Sequence, residues 1–307
     1  MSKQIAYVAL LSLALLAPAL GQEPAVQGPE AVMRLDLGRD VQDAYGNKSR
    51  VEVVLPQNPS QSYPTVMFVH GWFTVPSWYE SLIENLASRG FAVAIFNQVN
   101  RLEIDLRTWV KGAESAVDAI FAASNDPTSP VYGQLDLTRF GLIGHSYGGA
   151  TSIVIAANDR RVKTVVALAP GSNEGSSRQH LIQEAAKLRV PTLVIGCEFD
   201  PIVPARRFAW PAFQAMPQAN RLYVEISRAE HNNFMDFGRY GFWVFRPLTR
   251  RFAFTLRPRE HKRISRNYSN AWLDHYLKGR ADTQGWVDGL KAREGTRADR
   301  LTHYDLR

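Results

Sequence analysis

The chain has 307 residues, 45% of them hydrophobic and 21% charged, with a formal net charge of +7. This composition excludes a disordered, collagen-like or coiled-coil chain, and no internal repeat is visible. A single cysteine excludes an intrachain disulfide framework and a cysteine-rich zinc site, and the seven histidines form no His-Glu-x-x-His pattern. At roughly 150 residues per domain, the length allows one large α/β domain or two small ones.

The first residues have the pattern of a targeting segment. Lys3 precedes an almost wholly apolar run from Ile5 to Ala19, and Ala19-Leu20-Gly21 places small residues at −3 and −1. A secretory signal peptide over residues 1–21 is predicted, leaving a mature chain 22–307 that is secreted or periplasmic. The apolar run is short for a membrane span of about 20 residues. No cysteine follows it to carry a lipid. Residues 22–31, rich in Gln, Pro, Ala and Glu, read as a loose leader.

From about residue 32, short apolar runs alternate with helical patterns. Val51 to Leu55 and Thr65 to Val69 read as strands, the second a buried parallel one. Trp78 to Arg89 carries apolar residues at Leu82, Ile83, Leu86 and Ala87 before Gly90, the pattern of an amphipathic helix with a glycine stop. Phe91 to Phe96 is a strand. Leu106 to Ala123 is a helix with apolar Leu106, Val110, Ala113, Val117, Ile120 and Phe121. Phe140 to Ile143 is a strand and Gly149 to Ala157 a helix. Val162 to Leu168 and Pro191 to Gly196 are strands, and Cys197 at the end of the latter is expected to be buried and inert. Arg207 to Met216 is helical, Leu222 to Ile226 the last clear strand, and Asn270 to Lys278 a helix stopped by Gly279. Such alternation specifies a mostly parallel central sheet with helices on both faces. Such sheets carry their sites in loops at the carboxyl ends of strands, here after Val69, Ile143, Ile195 and Ile226.

The loop after Ile143 reads Gly144-His145-Ser146-Tyr147-Gly148, a Gly-x-Ser-x-Gly sequence between a strand and a helix. A turn this sharp strains the serine backbone, and side chains two residues either side would collide with their neighbours. Ser146 is the expected nucleophile. The loop after Ile195 holds Asp200, with Glu198 as the competing acid. His231 follows the strand ending at Ile226, giving serine, acid and histidine in the chain order of this kind of site. An imidazole suits the base because its pKa lies near 6.5. His70 and His145 are the other candidates. His70 reads as loop-shaping, and His145 is expected to point away from the nucleophile. Two donors must also face the developing oxyanion. The N–H of Tyr147 and that of Trp72 are assigned, with Phe73 a one-residue alternative to Trp72. Trp72, Phe73 and Tyr147 are the expected substrate-binding side chains.

Together these motifs resemble an α/β-hydrolase, and more narrowly the secreted cutinase and polyester-hydrolase branch, related to dienelactone hydrolases. The likeness spans roughly Val51 to Asn233, plus the helix near Ala271 to Lys278. It rests on His70-Gly71-Trp72, the elbow at Leu142 to Gly149, the acid loop at Val194 to Pro204, and His231. The resemblance implies an α/β-hydrolase fold and ester hydrolysis by Ser146, His231 and Asp200, with no metal and no organic cofactor. It implies a small ester, lipid or polyester as substrate. The polyester hydrolases of this branch usually carry a C-terminal disulfide, which one cysteine excludes here. They also lack the long stretch that here follows the histidine, so ester cleavage is expected ahead of polyester cleavage.

That stretch is a basic aromatic insertion at about 235–268 of a single domain. Residues 239–266 hold nine Lys and Arg against one acid, Glu260, a local +8 that leaves the rest of the chain near −1. Two readings are open: an interfacial flap meeting an anionic surface, or an insertion packed on the domain with its charges solvated. No nucleic-acid module accompanies the charge, and nucleic-acid binding is not expected. Two functional alternatives to an esterase remain: a peptidase or amidase with the same triad, and a non-catalytic surface-binding protein on a hydrolase scaffold. A serine at the elbow disfavours haloalkane dehalogenation, which needs a carboxylate there.

Overall fold

The computed structural model describes residues 23–42, 46–58, 60–98, 100, 102–217, 219–236, 255–289 and 301–306, without the side chains of 38–40 and 301–306. The segment 1–21 expected to be a signal peptide and most of the basic insertion lie outside these residues. The strands are β1 (Val32–Gln42), β2 (Lys48–Pro56), β3 (Tyr63–Val69), β4 (Ala92–Phe96), β5 (Leu135–His145), β6 (Val162–Leu168), β7 (Thr192–Cys197), β8 (Arg221–Ile226) and β9 (Leu301–Leu306). Among the described residues they form one sheet in the order β1-β2-β4-β3-β5-β6-β7-β8-β9. Neighbours from β4 to β8 pair in parallel. The pairs β1–β2, β2–β4 and β8–β9 are antiparallel.

The central strands are apolar throughout because both faces are covered. Every residue of β3 and β7 is buried. Side chains alternate between the faces with period two. In β3, Met67 and Val69 enter one core while Val66 and Phe68 enter the other. The first core is closed by the helices α2 (Leu106–Ser124), α3 (Tyr147–Asn158), α4 (Ser176–Ala185) and α5 (Ala209–Ala215). The second is closed by α1 (Glu80–Ser88) and α6 (Pro258–Lys278), with the short α7 (Gln284–Val287) beside them.

Local chemistry sets the helix ends. The Asp105 side chain caps α2 by accepting from the Arg107 N–H at 3.1 Å, satisfying one of the donors a helix start leaves open. Helix α6 starts with Pro258 in its first turn and stops at Gly279, whose φ of 69° closes the left-handed cap. It thus begins well before Asn270. Residues 258–268 of the insertion are the first half of this helix, and His261, Ile264, Ser265, Asn267 and Tyr268 are buried on it.

The described part of the leader is docked rather than loose. Asn267 Oδ1 accepts from the Ala25 N–H at 2.6 Å. Asn270 Nδ2 donates to the Pro24 carbonyl at 2.6 Å and to Asn85 Oδ1 at 2.7 Å. These bonds tie the segment to α1 and α6. A buried carboxylate reinforces the joint: Asp274 meets Arg89 at 2.6 Å, Lys278 at 2.8 Å and Arg280 at 3.4 Å.

Candidate active site

The carboxyl ends of β3, β5, β7 and β8 bring the four loops around one cavity. It holds about 820 Å³, counting the space at its open mouth, and Gly71, Trp72, Phe73, Ser146, Tyr147 and His231 are among its lining residues. Ser146 follows β5 with φ 57° and ψ −120°, a conformation a β-carbon disfavours. Its neighbours make the turn possible. A β-carbon on Gly144 would sit 2.2 Å from the Gly148 carbonyl oxygen, and one on Gly148 would sit 2.0 Å from that of Val69. Both collisions anticipated from the motif are present. The Ser146 N–H donates to Leu168 at 2.9 Å, and its carbonyl accepts from Ala150 at 3.0 Å and Gly171 at 3.1 Å, so the strained residue is held from both sides.

His231 Nδ1 lies 2.6 Å from Asp200 Oδ2. The carboxylate can only accept, so Nδ1 donates to it, which leaves Nε2 as the nitrogen that can act on a neighbouring hydroxyl. Asp200 Oδ1 accepts from the N–H groups of Ile202 at 3.0 Å and Val203 at 2.7 Å, which fixes the carboxylate from behind. All three side chains, Ser146, Asp200 and His231, are buried. Among the described hydrogen bonds none joins Ser146 Oγ to His231, and both residues line the same cavity. Glu198, the competing acid, turns away and accepts from Arg228 N at 2.7 Å and Ser227 Oγ at 3.1 Å.

The loop after β3 is built around the Gly71–Trp72 peptide. His70 Nε2 accepts from the Gln98 N–H at 2.9 Å, so Nδ1 is protonated and donates to the Gly71 carbonyl at 2.8 Å. The Thr74 hydroxyl donates to the same oxygen at 2.7 Å. His70 is therefore loop-shaping, as its position suggested. With no cis bonds among the described residues, a carbonyl held this way turns the Trp72 N–H to the opposite side. Phe73 sits at φ 60°, an unusual conformation for an aromatic residue. On the other side, Tyr147 opens α3, where an N–H has no intrahelical acceptor. Its hydroxyl donates to the Ile104 carbonyl at 2.8 Å and accepts from Asn173 N at 2.8 Å. Trp72, Phe73 and Ile202 are 41%, 51% and 54% exposed, an apolar rim above the buried polar groups. Among the described residues no three His, Cys, Asp or Glu side chains gather as a metal site requires.

A family model described as PETase, PET hydrolase-like, matches residues 17–241, more than half of the chain. The chain belongs to the PET hydrolase-like family. Its α/β-hydrolase fold follows. This PET hydrolase-like chain is 27% identical over 212 residues to Cutinase 2 of Thermobifida cellulosilytica, covering 67% of the chain and 73% of the relative. It is 27% identical over 212 residues to Cutinase cut1 of Thermobifida fusca, covering 67% of the chain and 60% of the relative. It is 26% identical over 219 residues to a bis(hydroxyethyl) terephthalate hydrolase of Streptomyces coelicolor, covering 70% of the chain and 64% of the relative. For the last two, the match spans less than two thirds of the relative's length.

Sequence reasoning missed the surroundings of the histidine in this PET hydrolase-like chain. His145 does not stand apart from the site: its ring lies 4.6 Å from that of His231, and its Nε2 is 3.1 Å from the His231 carbonyl oxygen. Its Nδ1 is 2.8 Å from the Tyr79 hydroxyl. Burial, then the facing His231, push its pKa well below the usual imidazole value. His145 stood beside the nucleophile in the motif, which was a usable signal. Tyr79 offered none.

Proposed function

We propose that the chain is a serine carboxylic-ester hydrolase working through an acyl-enzyme. The observation that carries this reading is the 2.6 Å bond between His231 Nδ1 and Asp200, beside a serine held at φ 57° in the same cavity. His231 Nε2 takes the Ser146 proton as Oγ bonds to the ester carbonyl carbon. Asp200 stabilises the imidazolium, and the N–H groups of Trp72 and Tyr147 hold the oxyanion. The imidazolium then returns its proton to the alkoxide, the C–O bond breaks and the alcohol leaves. Water, deprotonated by His231, attacks the acyl-enzyme and releases the acid with Ser146 restored. The apolar rim of Trp72, Phe73 and Ile202 suits an ester with a hydrophobic aromatic or aliphatic part. The named activities of the cutinase and bis(hydroxyethyl) terephthalate hydrolase relatives support ester cleavage and extend the candidates to terephthalate and polymeric esters. Export through the segment at residues 1–21 belongs to the same proposal.

The test is turnover of p-nitrophenyl esters and of bis(hydroxyethyl) terephthalate by the parent protein and by Ser146→Ala. A fluorophosphonate should label the parent at Ser146 and leave the variant unlabelled. Ester turnover undiminished in Ser146→Ala would remove the serine mechanism.

A further inference from the structure

Between the loop carrying Trp72 and the loop carrying His231 lies an unbroken line of buried hydrogen bonds. Tyr79 Oη is 3.4 Å from Gly71 N and 2.8 Å from His145 Nδ1. His145 Nε2 is 3.1 Å from the His231 carbonyl oxygen. The direction of every bond follows from the groups. A carbonyl only accepts, so His145 carries its proton on Nε2. Burial and the facing His231 keep the imidazole neutral, so Nδ1 has a lone pair and the Tyr79 O–H donates to it. The Tyr79 oxygen is then free to accept from the Gly71 N–H. Each donor is used once. Space is equally committed: a β-carbon on Gly71 would stand 3.2 Å from Ser146 Cβ, 3.3 Å from His145 Nδ1 and 3.3 Å from Tyr79 Oη.

We infer that Tyr79 and His145 are positioning residues of the ester-hydrolysing site, forming one hydrogen-bonded relay that holds the oxyanion loop and the His231 loop in register across the cavity. This rests on the serine-hydrolase reading above. The Gly71–Trp72 peptide is held at its oxygen by His70 and Thr74. The relay holds the adjoining Gly71 N–H, so the peptide that carries the proposed oxyanion donor and the peptide before it are both fixed. At its other end it fixes the backbone from which the imidazole of His231 projects. The hydrogen bonds of this relay run to backbone groups and between Tyr79 and His145, not to Ser146 Oγ or His231 Nε2. Their contribution is the placement of the groups that react, and a misplacement of about 1 Å can lower a rate by about a hundredfold.

The test compares parent, Ser146→Ala, Tyr79→Phe, His145→Phe, His145→Gln and the double variant Tyr79→Phe/His145→Phe on a soluble p-nitrophenyl ester. Tyr79→Phe removes one oxygen and keeps the ring packed 4.8 Å from Phe68, so it folds. It should lower kcat by about ten- to a hundredfold, leaving KM within about twofold. His145→Gln, which retains a donor and an acceptor, should recover part of what His145→Phe loses. Because the two side chains act as one unit, the double variant should be no slower than the slower single variant. Serine-dependent turnover in the parent with parental kcat in Tyr79→Phe overturns the relay alone, as does a double variant whose losses multiply. A parent protein without serine-dependent turnover overturns both the relay and the reading beneath it.

Discussion

Replacing His261 with phenylalanine measures how the second core responds to acid. The imidazole is fully buried on α6, meets Phe234 edge-on at 4.3 Å, and neither ring nitrogen has a hydrogen-bond partner among the described residues. Burial, and after it the charges of Lys262 and His231, hold its pKa at about 3, below the ordinary imidazole value of about 6.5. A depressed imidazole pKa means that protonation favours the unfolded chain. Below pH 6.5 the unfolded state takes up a proton that the folded state refuses until about pH 3, so stability falls as the pH falls through that window. At pH 5 the unfolded group lies about one and a half units below its pKa, and at about 1.4 kcal/mol per unit the loss is about 2 kcal/mol. His145 is shifted in the same direction, but it is present in parent and variant alike, so the difference between the two isolates His261. Urea unfolding of both proteins at pH 8 and pH 5 reads the effect. On moving from pH 8 to pH 5, His261→Phe should gain about 2 kcal/mol relative to the parent, with an unchanged m-value. Equal losses in the two proteins would show that the buried ring does not refuse its proton, and the reasoning would fail.

Three other substitutions separate site chemistry from scaffold. Asp200→Asn should reduce ester kcat by several orders of magnitude, about 10⁴ in another triad enzyme. Glu198→Gln, which changes an acid bonded away from the site, should stay within about twofold of the parent in the same steady-state assay; the reverse pattern would reassign the acid. Asp274→Asn leaves Arg89, Lys278 and Arg280 around a neutral amide. It should destabilise the protein by about 3–5 kcal/mol in urea unfolding, and an unchanged midpoint would show the cluster to be dispensable.

The central sheet was legible because a parallel strand covered on both faces must be apolar along its length. Val66 to Val69 and Leu193 to Cys197 satisfy that demand. The edge strand β1 was not legible in the same way, because its residues alternate: Leu35 and Leu37 against Arg34 and Asp36. Helix α4 escaped notice for a different reason. Its buried positions are Ser177, Leu181, Glu184 and Ala185, too thin an apolar stripe for periodicity to reveal. The first half of α6 hides its buried face behind His261, Ser265 and Asn267. What keeps it helical is tertiary: Lys262 pairs with Asp236, and Arg266 donates to Ser81 Oγ at 2.6 Å. Pro258 was a local sign of its start. The docking of residues 24–25 onto Asn267 and Asn270 joins positions more than 240 apart in sequence, beyond the reach of any local pattern.

Around the cavity, legibility followed whether strain was relieved by glycine. Ser146 and Phe73 both have positive φ, a conformation that costs about 1–3 kcal/mol and persists only where neighbours over-determine it. At the elbow the constraint is steric. Gly144 and Gly148 lack the β-carbons that would strike backbone oxygens 2.2 and 2.0 Å away, so the requirement is written in residue types at fixed spacing. At Phe73 the sequence carries no comparable mark. Ahead of it, the Gly71–Trp72 peptide is instead held by His70 and Thr74 at the Gly71 oxygen, and the His70–Gly71 peptide by Tyr79 at the Gly71 nitrogen. Hydrogen bonds of this kind can come from several residue types at variable spacing. Motif reasoning therefore reached Ser146, Asp200 and His231, the proposed nucleophile, acid and base, while the groups that place them emerged only once the loops were folded together.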